Sequence, residues 1–194
     1  EIDPLQCPPG ALNQDFFAFP EGEKFATIIG NPPYVRYQDI PAATRERLSA
    51  EHFDARSNLY LFFIEKCLRH LQPGGELIFI TPRDFLKATS AVRLNRLLHA
   101  AGTITDFIEL GDARIFAGAT PNCAIWRFER DNFSRRTRYE AGGGDKSAGK
   151  TAGKSEIEDR HFLLAGGHLA FTLGDYTVPL AEIFSVKVGA VSGA

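Results

Sequence analysis

The segment Asn31-Pro32-Pro33-Tyr34 holds residue types in an order that suits chemistry on a planar amino group. It directly follows residues 25–30 (FATIIG), an apolar and β-branched run that is typical of a buried strand. The two prolines stiffen the loop and fix the direction of the Asn31 side chain. The side-chain oxygen of Asn31 and the carbonyl oxygen of Pro32 can then both accept hydrogen bonds from one NH2 group, which favours a pyramidal nitrogen with a free lone pair. Because Tyr34 offers a ring on which a base can stack, the segment suits methylation of an exocyclic amine on an extruded base.

The alternative is that these residues form an ordinary turn, since Asn-Pro often begins one. Ligand sites of open α/β sheets lie at the carboxyl ends of strands, and this segment occupies such a place with an aromatic residue at its end. Its position therefore favours the functional interpretation.

The order of the predicted elements indicates an α/β fold with a parallel sheet. Asn58 is a candidate N-cap for the first long helix. The last two predicted strands are joined too closely for a crossover helix, so we expect them to run antiparallel. The predicted elements are strands at 25–30, 76–80, 103–110 and 119–129 and helices at 59–71 and 90–101.

The second half of the chain changes in composition. Residues 140–160 are rich in glycine, alanine and lysine, which predicts a flexible connector. Within it, residues 144–151 match the G-x-x-x-x-G-K-[ST] pattern of phosphate-binding loops. No buried strand is predicted before that match and no amphipathic helix after it, so we interpret it as chance. Residues 161–194 predict a β-rich extension with a hairpin about Gly166-Gly167.

Composition excludes several classes of protein. Of the 194 residues, 44% are hydrophobic and 24% charged, which permits a packed core and argues against general disorder. The net charge of −2 argues against a protein that coats DNA through bulk charge. No apolar run approaches the roughly 20 residues of a membrane span. The three cysteines lack metal-ligand spacing, so we expect a reduced, cytoplasmic protein without a metal or a membrane partner.

Several longer segments resemble the DNA adenine-N6 methyltransferases of restriction–modification systems, in the branch of Eco57I-like and TaqI-like enzymes. The resemblance implies a Rossmann-like S-adenosylmethionine-dependent methyltransferase sheet, with double-stranded DNA as the partner. The NPPY motif also occurs in protein-glutamine and RNA methyltransferases, which remain an alternative, as does a non-catalytic DNA-binding fragment. The segments that carry the resemblance are EIDP at 1–4, QDFF at 14–17, GNPPYVRY at 30–37, SNLYLFFIEKCLRHLQPGGELIFITPRDFL at 57–86 and IFAGATPNCAIWRFER at 115–130.

The resemblance also implies roles for single residues. It implies that Glu1 binds the ribose hydroxyls of S-adenosylmethionine and that Ile2 packs on the face of its adenine. It also implies that Asp15 binds the amino group of that adenine, with Phe16 packed beside it. The implied catalytic loop is 31–34, and Tyr34 and Phe116 hold the target adenine between them. Each assignment has a plainer alternative: Glu1 as a frayed terminus, Asp15 as a turn residue and Phe116 as core.

The chain departs from the family pattern at its start, because no glycine-rich cofactor motif and no central strand precede EIDP. Residues 1–139 are therefore predicted to be a partial catalytic domain, 140–160 a linker, and 161–194 the run-in to a target-recognition domain. We expect this piece to be inactive alone. We also expect strand 25–30 to form an exposed sheet edge, covered by residues 1–24 or by self-association with a second copy.

Overall fold

The computed structural model describes residues 3–48, 57–110, 122–141, 157–174, 176 and 178. Its strands are β1 (Phe25–Gly30), β2 (Leu71–Pro82), β3 (Gly102–Glu109), β4 (Cys123–Arg130), β5 (Arg136–Glu140), β6 (Ile157–Ala165) and β7 (His168–Thr172). Its α-helices are α1 (Ala42–Arg45), α2 (Leu59–His70) and α3 (Val92–Ala101). Short 3-10 helices cover Phe16–Ala18, Tyr37–Asp39, Arg83–Leu86 and Thr89–Ala91.

All seven strands belong to one mixed sheet with the order β1-β2-β4-β3-β5-β6-β7. β1 is parallel to β2, β3 is parallel to β5, and β4 lies antiparallel between β2 and β3. The predicted antiparallel pairing of the last two strands of the first half is thus confirmed. This topology brings the carboxyl ends of β1, β2, β3 and β5 to the same edge of the sheet, where ligands bind in open α/β folds.

The strand boundaries differ most from the prediction at two places. β2 begins at Leu71, where it pairs with Phe25, five residues before the predicted start. β6 begins at Ile157 and pairs with β5, so the predicted connector is wrong for residues 157–160. No strand was predicted at 157–160 because these residues are mostly polar. They nevertheless form a strand, because one side of β6 faces solvent. Residues 142–156, including the phosphate-loop match, lie outside the described residues.

The predicted buried strand at 25–30 is wrong in its burial. β1 is the edge strand of the sheet, and Ile29 is 73% exposed. The edge position itself is confirmed. Within the described part of the chain, including residues 3–24, no segment pairs with the outer side of β1, so those residues do not cover it as a strand. Self-association through this edge stays a prediction.

The hydrophobic core lies where α2 and α3 pack on one face of the sheet. The N-cap predicted at Asn58 is present, since its side chain accepts a hydrogen bond from the Tyr60 amide and begins α2. Both helices and the strands contribute to a single buried cluster, in which Trp126 of β4 contacts the rings of Phe79 and Phe85. The core members from the helices include Leu61, Ile64, Leu68, Leu94 and Leu98.

Asn95 of α3 joins the 3-10 helix Arg83–Leu86 to the turn between β6 and β7. Its side-chain amide, fully buried, donates to the carbonyl oxygens of Phe85, Leu86 and Gly167 at 2.9, 3.2 and 3.2 Å. We expect Asn95→Leu to lower the free energy of unfolding by about 2–4 kcal/mol, because buried carbonyl groups lose their donor. Urea unfolding measures this, with Asn132→Leu as the control on a less buried amide. An unchanged midpoint for Asn95→Leu would contradict the proposed bracing role.

Candidate functional site

The NPPY loop leaves the sheet at the carboxyl end of β1, and its two functional side chains contact each other. The Tyr34 hydroxyl lies 3.0 Å from the Asn31 Oδ1 and 3.0 Å from the carbonyl oxygen of Ile80 on β2. Burial raises the pKa of Tyr34 well above its usual range. The phenol therefore stays protonated and donates its one proton to either acceptor. Asn31 is exposed and Tyr34 half-buried, so the loop presents the Asn31 amide at the surface with the phenol behind it.

The loop borders a cavity of about 510 Å³ that also contains the Asp15 segment. Asn31 and Pro33 line one part of it, and Asp15 and Phe16 line another. Two residues of the NPPY loop and the two residues implied by the resemblance therefore share one cavity, whose lining includes neither Pro32 nor Tyr34. The remaining lining is mostly apolar and consists of Gln14, Phe17, Val35, Pro41, Thr44, Leu59 and Phe63.

Both carboxylate oxygens of Asp15 are engaged. Oδ1 accepts from the Phe17 amide at 2.9 Å and caps the 3-10 helix Phe16–Ala18. Oδ2 accepts from the Thr44 hydroxyl at 2.9 Å and from an Arg47 guanidinium nitrogen at 3.2 Å. Asp15 is thus the turn residue of the plainer interpretation and also a fixed anion at the cavity wall. A carboxylate oxygen has two lone pairs, so these contacts leave acceptor capacity for a ligand.

Lys66 of α2 holds the segment that carries Asp15 and Phe16. The side chain is only 3% exposed, and its ammonium group donates to the carbonyl oxygens of Phe17 and Phe19 at 3.0 and 2.8 Å. It also lies 5.3 Å from the centre of the Phe16 ring. Burial lowers the pKa of Lys66. Lys66 was not predicted as part of the site, although a lysine inside the apolar pattern of a helix was the available signal.

Phe16 has a fixed orientation at the cavity wall. Its ring stacks on Phe63 of α2 with centres 5.0 Å apart and planes 15° apart. Glu1, Ile2 and Phe116 lie outside the described residues, so their implied roles remain predictions. Pro32 is buried beneath the loop, and Pro33 is exposed.

The fold and the site together define the class of protein. A Rossmann-like sheet of this kind is the fold of S-adenosylmethionine-dependent methyltransferases, and the NPPY loop stands at its ligand-binding edge. Residues 10–116 match the Eco57I restriction-modification methylase family, and the chain belongs to that family.

Individual relatives agree with this placement. The chain is 27% identical to the type II methyltransferase M.HincII of Haemophilus influenzae over 62% of this chain and 25% of that protein. It is 32% identical to M.TthHB8I of Thermus thermophilus over 67% of this chain and 33% of that protein. Among solved structures, DrdV in complex with DNA matches with a TM-score of 0.53 and 12% identity over 76% of this chain and 18% of DrdV. The chain thus spans about a third or less of these relatives.

Two further properties concern only the described part of the chain. Its helices include none that is long and apolar enough to cross a membrane. Its histidine, cysteine and carboxylate side chains form no group of three that suits a metal ion.

Proposed function

We propose that the full-length protein carrying this chain methylates the N6 amino group of adenine in double-stranded DNA, with S-adenosylmethionine as the methyl donor. The observation that carries the proposal is the shared cavity lined by Asn31 and Pro33 on one part and by Asp15 and Phe16 on another. Such a cavity offers a methyl donor a place beside the loop that orients the amine. Membership of the restriction-modification methylase family supports DNA as the substrate.

The cavity residues suit the adenosine part of the cofactor. Phe16, Val35, Leu59 and Phe63 offer apolar surface to a purine, and the Asp15 carboxylate offers an acceptor to its amino group. A volume of about 510 Å³ lies within the range of small-ligand sites. When bound, S-adenosylmethionine supplies a methyl group activated by a positively charged sulfur.

The chain's own residues would act by positioning. The Asn31 Oδ1 and the Pro32 carbonyl oxygen accept hydrogen bonds from the target amine and aim its lone pair at the methyl group. The ring of Tyr34 contacts the base, while its hydroxyl orients Asn31. Because burial keeps Tyr34 protonated, it is not a base. The amine loses its proton to solvent after methyl transfer has made that proton acidic, so catalysis rests on orientation and charge placement.

Product analysis tests this function. The full-length protein is incubated with labelled S-adenosylmethionine and plasmid DNA, and the DNA is then digested to nucleosides. We expect the label in N6-methyladenine. Label in another nucleoside, or transfer only to RNA or to protein glutamine, would replace the proposal with the corresponding alternative.

Tyr34→Phe tests the orienting role of the phenol. Loss of one hydrogen bond to Asn31 should lower kcat for methyl transfer by about 3–10-fold, while the ring still contacts the base. Steady-state kinetics of the full-length protein measure this. Tyr37→Phe is the matched control, because Tyr37 lies in the next turn and its ring packs against Arg45, whereas the Tyr34 hydroxyl contacts Asn31. A Tyr34→Phe variant with wild-type kcat would show that Asn31 needs no orienting contact.

A further inference from the structure

A second cleft of about 560 Å³ opens near the carboxyl ends of β2, β3 and β5. It shares no lining residue with the Asp15–Asn31 cavity. One wall is the 3-10 helix Arg83–Leu86 that follows β2, together with Lys87. The opposite wall consists of side chains from β5, β6 and β7, namely Tyr139, Arg160, Leu169, Ala170 and Phe171. None of the predicted site residues lines this cleft.

The wall from β5, β6 and β7 contains an aromatic cluster. The Tyr139 ring lies parallel to Phe107 with centres 5.7 Å apart, and the Arg160 guanidinium sits 3.7 Å above the tyrosine ring. Phe171 contacts both rings. Burial and a hydrogen bond with Glu109 raise the pKa of Tyr139 to about 12, so the phenol of Tyr139 stays uncharged. The cleft therefore combines aromatic side chains with a guanidinium group in the same wall.

The charges in the cleft favour an anion at one position. Arg83 pairs with Glu109 at 2.5 Å, and Arg160 pairs with Glu158 at 2.7 Å, so these two arginines are largely neutralised. Lys87 is exposed, and no described carboxylate forms an ion pair with it. Asp84, the remaining acidic lining residue, is exposed to solvent. Among the described residues, the lining has three cations (Arg83, Lys87 and Arg160) and two carboxylates (Asp84 and Glu109), which is a net charge of +1, and Lys87 is the lining cation for which the described part of the chain provides no ion pair.

The distance to the NPPY loop suits a polynucleotide. Four strand intervals separate β1 from β5, whose Tyr139 lines the cleft, and neighbouring strands are about 4.8 Å apart, so this part of the cleft lies about 20 Å across the sheet from β1. A DNA strand advances about 3.4 Å per nucleotide along the helix axis. A strand that follows this edge would therefore reach the cleft about six nucleotides from the target base.

We propose that this cleft binds one nucleotide of the DNA strand that flanks the methylated base. Lys87 contacts the phosphate of this nucleotide, and Phe171 and Leu86 contact its deoxyribose. Arg83 lies in the same wall of the cleft as Lys87. The proposal rests on the proposed function, since it needs DNA as the substrate. A phosphate contact of this kind fixes the register of the duplex and carries no sequence information.

Lys87→Ala in the full-length protein tests the cleft, with binding to a fluorescent duplex followed by anisotropy over a series of salt concentrations. We expect a 3–10-fold higher Kd and a salt slope smaller by about 0.9, as the loss of one phosphate contact predicts. Lys87→Arg should restore both values. Arg93→Ala is the matched control, because Arg93 is an exposed cation of α3 that does not line the cleft. The Kd for S-adenosylmethionine and kcat at saturating DNA should stay at the wild-type values.

The outcomes separate this proposal from the proposed function. If wild-type protein methylates DNA but Lys87→Ala keeps the wild-type Kd and salt slope, the cleft does not hold the strand and the function stands. If Lys87→Ala and Arg93→Ala weaken binding equally, the effect is one of bulk charge and the cleft assignment is wrong. If wild-type protein neither binds nor methylates DNA, both proposals fall.

Discussion

Asn31→Ala should reduce kcat for methyl transfer by about 10²–10³-fold, the loss typical of removing one preorganised polar group from a reacting centre. The variant lacks the Oδ1 that the Tyr34 hydroxyl orients at 3.0 Å, and with it one of the two acceptors for the target amine. The other acceptor, the Pro32 carbonyl, is part of the backbone and remains. Single-turnover transfer of labelled methyl to DNA in the full-length protein measures the effect on chemistry directly.

A second measurement separates this catalytic effect from loss of the cavity. Calorimetric binding of S-adenosylmethionine to Asn31→Ala should stay within about threefold of wild type, because the Asp15 and Phe16 part of the cavity is unchanged. Gln38→Ala, an exposed amide farther along the chain, is the matched control and should keep wild-type kinetics. Wild-type turnover by Asn31→Ala would remove this residue from the mechanism.

The sequence was most informative where local chemistry determines the outcome. A strand followed by Asn-Pro-Pro-Tyr specifies both the end of β1 and the place of the loop, because proline restricts the backbone whatever packs around it. The N-cap at Asn58 and the hairpin at Gly166-Gly167 are local in the same sense, and both are present. The joint cavity of Asn31 and Asp15 required the family resemblance as well.

The features that the sequence did not reveal depend on long-range pairing. β1 was predicted to be a buried strand because its residues are apolar, yet it is the edge strand, and Ile29 lies on the face of the sheet opposite the core that Ile28 contacts. The polar start of β6 is a strand because β5 supplies hydrogen-bond partners 17–25 positions earlier in the chain. The Arg160–Tyr139 contact across the same pair of strands was equally hidden. The pattern of apolar and polar residues within a segment does not show which distant strand will pair with it.

Lys66→Met should weaken S-adenosylmethionine binding by about 10–100-fold, the range expected when a binding group loses its fixed position. Lys66 touches neither the Asn31 loop nor, as proposed, the cofactor. Lys66 lies on α2 and donates hydrogen bonds to the carbonyl oxygens of Phe17 and Phe19, and so fixes the segment that contains Asp15 and Phe16. Methionine fills a similar volume but cannot donate, so the segment loses its tether. Calorimetry with the full-length protein gives the Kd, and Lys66→Arg, which keeps the charge and the donors, should recover part of the affinity.

Stability distinguishes this positioning role from a purely structural one. Lys66→Met removes the cost of burying an ammonium group but leaves the part-buried carbonyl oxygens of Phe17 and Phe19 without their donor, so these effects oppose each other and the melting temperature should change little. The pKa of Lys66 is lowered in the folded state, so the unfolded chain binds the proton more tightly. Wild-type stability should therefore rise with pH between that lowered pKa and the value of an ordinary lysine, and Lys66→Met should lack this contribution. A variant that melts early and binds cofactor normally would assign Lys66 to the core alone.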